Sequence, residues 1–265
     1  MKVNAVPFAL YTQNIISALV LWVISCLVIG RRHKKNDTSS FLAIIIILVL
    51  YSLTFLDSGI DGVNRWISVG AIRLYISSIL IPILIILLWE QLNSMNIPLA
   101  IVATSLIAII LLIQPDASQL TSFCIPMILI LFIKIKRKYI SIVIISILTL
   151  MIASSWVFLD SLPPVSYVEN IIGLVFKMGF AWSFLGIISI LILLLPFQLF
   201  PKEGYELLSR CIGLYYLLVI LSTFVGNFPV PLMGFGISPI IGYFIAITWL
   251  FKSSNINIET RAKIF

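Results

Sequence analysis

Charge is scarce in this chain: Asp, Glu, Lys and Arg make up 10% of 265 residues, while 61% are hydrophobic. A water-facing exterior needs far more polar surface, so a soluble domain of this size is excluded. Histidine is nearly absent. His33 is the only one, flanked by Arg32 and Lys34, which rules out a histidine ligand cluster. Cysteine is scarce too. Cys26, Cys124 and Cys211 all lie in apolar runs and read as small buried side chains, not as a disulfide framework or a metal site. No A-x-A cleavage pattern follows the first apolar run, and Arg31–Lys35 (RRHKK) comes directly after it, so that run reads as a retained helix.

What is present is long apolar runs, with a mean hydropathy of +1.18. They are continuous rather than alternating, which excludes a β-barrel and predicts an all-α polytopic membrane protein. Spans of about 20 residues each fall at 8–30, 41–58, 72–89, 97–113, 118–133, 139–158, 168–197, 207–228 and 237–251. The expectation is nine transmembrane helices in a single integral membrane domain covering 1–265. The net charge of +7 resides in short loops between spans, a pattern that sets topology and does not mark a nucleic-acid binder. With the N-terminus outside and the C-terminus cytoplasmic, the inner side holds all but Lys2, Arg65, Arg73 and Lys177 of the 17 basic residues. Glu90, beside Trp89, then reads as an interfacial residue at a cytoplasmic helix end.

This topology gathers four stretches on the outer face: 57–73, Gln114–Pro115–Asp116, 160–167 (DSLPPVSY) and 227–238 (NFPVPLMGFGIS). The segment Asp61–Arg73 (DGVNRWISVGAIR) stands out as a polar interruption, with Gly62 and Gly70 for tight turns and Trp66 for the bilayer boundary. Charges are tolerable there, whereas each would cost roughly 2.5–3.5 kcal/mol at the membrane centre. Asp116 follows Pro115 at a helix start, where a carboxylate suits the free N–H groups. Lys177 lies about ten residues into an apolar run, so it should snorkel or find a partner such as Asp116 or Glu169. The 229–236 segment cannot continue a helix and reads as cavity wall.

Three of these stretches together resemble the SEDS family of shape, elongation, division and sporulation proteins (FtsW, RodA and SpoVE among them). The resemblance rests on Gly62-x-x-Arg65–Trp66 with Gly70, then Gln114–Pro115–Asp116, then Pro229–Val230–Pro231–Leu232 with Gly234–Phe235–Gly236 and Ser238, in that order. It covers about 50 to 252. It implies a glycosyltransferase of the bacterial inner (cytoplasmic) membrane that polymerises lipid-linked peptidoglycan precursor in cell division, elongation or cell shape. It also implies a class B penicillin-binding protein, or a similar single-span protein, as partner alongside membrane lipid.

The departures are specific. Tyr75, Ile76, Ser77 and Ser78 stand where the family usually has Gln-Pro-Ser-Glu, and Ile81 stands at its lysine. The large outer loop is nearly absent, and one N-terminal helix of the family's ten is missing. The family's catalytic aspartate position falls on Val168, and Phe176–Lys177–Met178–Gly179 replaces Glu-Glu-x-Gly. Glu169 is the neighbouring carboxylate, one helical step of about 100° away. Transfer to a sugar hydroxyl needs a carboxylate base and cations on the diphosphate. That makes Glu169 the catalytic candidate, with Arg65, Arg73, Asp116 and Lys177 the substrate-binding candidates. Asp57 and Asp160 are further carboxylates that spacing does not select. No cofactor is singled out, and a divalent cation can help on the phosphate side. Three readings stay open: a precursor polymerase, a non-catalytic scaffold for a penicillin-binding-protein-like partner, and a precursor transporter or flippase.

Overall fold

The computed structural model describes residues 8–30, 39–70, 72–160, 162–165, 167–201, 204–234 and 236–262. Arg31 to Lys35, Lys202, Phe235 and Lys263 therefore lie outside the described residues. Ten α-helices, one 3₁₀ turn (Thr54–Leu56) and one β-hairpin account for the described elements. Five of the helices are long and apolar enough to cross a membrane, as expected of a multi-pass protein. The chain divides into two units, 34–162 and 1–33 with 163–265.

The first unit contains α2 (Ser39–Leu53), β1 (Trp66–Val69), β2 (Ile72–Tyr75), α3 (Ile76–Asn93), α4 (Ile97–Ile113), α5 (Ala117–Lys134) and α6 (Lys138–Val157). α3 and α5 are its interior: 72% and 61% of their apolar windows are buried, against 22% for α6. Ile81, Leu84, Ile85, Leu88, Leu120, Phe123 and Met127 are sealed from the surface.

The 72–89 run is not one span. Its first four residues pair with Trp66–Val69 as an antiparallel hairpin, with Trp66 opposite Tyr75 and Ser68 opposite Arg73. Two glycines allow this. Asp61 and Gly62 both take positive φ (47° and 82°), the geometry of a mirror-image two-residue turn, and Ile60 and Val63 close it with reciprocal backbone bonds. Gly70, at φ 61°, starts the second turn. Asp57 fastens the hairpin from outside: its carboxylate accepts the Ser68 N–H at 2.7 Å and the Gly59 N–H at 3.3 Å. These bonds hold the Asp57 carboxyl below its ordinary range, with Arg73 assisting.

The second unit contains α1 (Phe8–Ile29), α7 (Ile171–Lys177), α8 (Phe180–Leu199), α9 (Glu206–Ser222) and α10 (Ile237–Ala262). The 168–197 run, expected as a single span, is broken into α7 and α8 at Gly179, whose φ of 102° is closed to most side chains. Lys177 therefore does not sit deep in a span. It ends a seven-residue helix and is exposed, where a cation meets the negative helix terminus. α1 packs along α10, with Thr248 donating to Ser25 at 2.7 Å. α8 and α9 meet closely at Gly213, where an added Cβ would lie 3.0 Å from the Phe197 side chain.

Candidate functional site

The chemistry-bearing residues of the first unit converge on Arg65. Its Nε donates to the Gln114 carbonyl at 3.1 Å, and its Nη2 donates to the Pro115 carbonyl and to Asp160 Oδ2. Asp116 Oδ2 lies 3.8 Å from the same Nε. The hairpin, the α4–α5 corner and the segment after α6 are thus fastened by one side chain. Arginine suits this because its planar fork presents several donors in fixed directions, which a lysine cannot do.

The corner is built by local sequence. Asp116 caps α5, accepting the Gln119 N–H at 3.2 Å. It also accepts the Tyr75 hydroxyl at 2.6 Å, which ties the corner to the end of β2. Gln114 donates to Thr54 Oγ1 at 2.7 Å, bringing in the turn that follows α2. Arg65 is 5% exposed and Asp116 is 0% exposed, so this is an interior polar network. Burial alone would lower the Arg65 pKa, but Asp116, Tyr75 and Asp160 outweigh it and raise it above the ordinary arginine value. The guanidinium stays charged.

The remaining candidates are placed differently. Arg73, across from Ser68 on β2, is exposed, as is Lys177 in the second unit. Glu169 is half-buried in the turn before α7. Its Oε2 accepts the Val165 N–H at 2.7 Å, so the carboxylate closes its own turn. The carbonyl of Val168 faces Gly234: a Cβ there would lie 2.7 Å from that oxygen. Asn14 on α1 brackets the 229–236 bend, donating to the Gly234 carbonyl and accepting the Gly236 N–H, both at 3.3 Å.

Sequence reasoning singled out Arg65 and Asp116 but not the partners that join them. Tyr75 was visible only as a family departure, and Asp160 only as an unselected carboxylate. The hairpin register that turns Tyr75 toward Asp116 is the missing signal. Asp116 and Asp160 both face the Arg65 guanidinium. Among the described residues, no three His, Cys, Asp or Glu side chains come together as a metal-binding group.

No family model and no curated protein matches this sequence. Among solved structures, the chain is similar to a point mutant of the rod shape determining protein RodA from Thermus thermophilus, at 15% identity and a TM-score of 0.59. The match covers 95% of this chain and 90% of that one, so the similarity is one of whole fold: this is a helical membrane protein with a RodA-like architecture.

Proposed function

We propose that this chain is a SEDS-like protein of the bacterial cytoplasmic membrane that acts on or near lipid-linked peptidoglycan precursor. The observation carrying the proposal is a RodA-like fold over nearly the whole chain, in which two of the resemblance motifs meet in one network through Arg65. In this reading Arg65 and Asp116 contribute indirectly. Their polar atoms are turned to each other and to the α4–α5 corner, so they shape the outer surface of the first unit. Arg73, exposed on the hairpin that Arg65 anchors, offers a guanidinium to the precursor diphosphate, where bidentate bonding favours arginine. Lys177 is an exposed cation of the second unit. A class B penicillin-binding protein is the expected partner.

One observation favours a second reading, that of a non-catalytic scaffold. Val168 cannot act as a base, and the Glu169 carboxylate is engaged by its own turn. A polymerisation assay on purified protein with the cognate penicillin-binding protein separates the two. Glycan chains made by wild type and abolished by Glu169→Gln establish catalysis with Glu169 as base. Precursor binding without polymer, weakened by Arg73→Ala, establishes the scaffold. Absence of precursor binding by wild type refutes the catalytic reading.

A further inference from the structure

The short link joining α5 to α6, with its flanking residues, carries Lys134, Lys136, Arg137 and Lys138, four cations within five residues. Only Ile135–Arg137 separates the two helices, and Ile135 is buried at 2% exposure, so the backbone carrying these charges is anchored. Two amines are committed to the protein. Lys134 donates to Asn93 Oδ1 at 2.7 Å with its Nζ 4.1 Å from the Trp89 ring centroid, and Lys138 donates to the Phe132 carbonyl at 2.7 Å. Lys136 and Arg137 remain exposed, and none of the four forms an ion pair with an acid among the described residues. Glu90, next to Trp89 on α3, is engaged by Ser40 at 2.8 Å.

Two further features fit an anion here. α6 has Arg137 as its N-cap residue, with no side-chain cap bond and no acid in its first turn, so its positive end adds to the cations. The flanking helix surface is apolar and exposed: Phe132 47%, Ile133 58%, Tyr139 64%, Ile142 58% and Val143 56%. Cations crowded at the end of such a surface match one ligand, a phosphate that brings its own hydrocarbon.

We propose that the α5–α6 turn is a binding site for the phosphate headgroup of an anionic phospholipid, with Lys136 and Arg137 contacting the phosphate and the exposed α5 and α6 faces meeting the acyl chains. The proposal is independent of any role in peptidoglycan synthesis. Native mass spectrometry of the full-length protein in detergent, titrated with phosphatidylglycerol or phosphatidylcholine, tests it. Wild type should bind phosphatidylglycerol preferentially. Lys136→Gln/Arg137→Gln should weaken that binding about thirtyfold, taking roughly fivefold per cation near an anionic surface, without lowering the melting temperature. A control, Arg210→Gln/Lys252→Gln, removes two cations elsewhere and should leave binding unchanged. Equal binding of the two lipids overturns the proposal, and so does equal weakening by the control pair. Competition by millimolar inorganic phosphate would assign the site to free phosphate and overturn the lipid assignment.

Discussion

Replacing Arg65 tests the interior network most severely. The guanidinium supplies donors to the Gln114 and Pro115 carbonyls and to Asp160, and it is the cation nearest the fully buried Asp116. Truncation leaves a buried carboxylate without its counter-charge, a change that typically costs about 3–5 kcal/mol. At about 2–4 °C per kcal/mol for chains near this size, Arg65→Ala should melt about 6–20 °C below wild type. Arg65→Lys should recover only part of this, since an ammonium cannot hold three separated acceptors. The electrostatic argument makes a sharper demand. If the penalty comes from uncompensated charge, Arg65→Met/Asp116→Asn should be more stable than Arg65→Met alone, because neutralising Asp116 removes the orphan. Fluorescence-detected melting in detergent reads wild type, these four variants and the single Asp116→Asn that completes the cycle. A single Arg65→Ala melting within about 2 °C of wild type, or additive losses in the double variant, would refute the reasoning.

Tyr75→Phe removes the hydroxyl that Asp116 accepts at 2.6 Å, and should destabilise by about 1.5–3 kcal/mol, less than Arg65→Ala in the same melting assay. Gly234→Ala would set a Cβ 2.7 Å from the Val168 carbonyl oxygen, against backbone that yields little; a loss of about 1–3 kcal/mol is expected, where an unchanged melt would place that contact elsewhere. The Asp57 carboxyl is held below its ordinary range by the Ser68 N–H, so its contribution is present above the unfolded carboxylate value and is lost as pH falls. Amide exchange at Ser68 should accordingly accelerate as pH drops below about 3.9 relative to Asp57→Asn, which should show no such transition.

Much of this protein can be read along the chain. Continuous apolar runs with few charges fix a helical membrane protein, because backbone polar groups in lipid must bond within their own segment. Asp116 reads as a helix cap from its place after Pro115, and the structure has it capping α5. The turn at Asp61–Gly62 is equally local, since mirror-image turns require residues that accept positive φ.

The rest depended on tertiary structure. The strand pairing of Ile72–Tyr75 was hidden inside an apolar run that hydropathy alone assigns to a helix. The break at Gly179 was hidden the same way, since a single glycine in an apolar stretch has no periodic signature. Above all, Arg65, Tyr75, Asp116 and Asp160 meet although up to 95 positions separate them. Sequence supplied the residue types that a buried ionic network needs. Only packing of the hairpin against the α4–α5 corner decided which charge faces which, because that pairing depends on distance in space, which spacing along the chain does not encode.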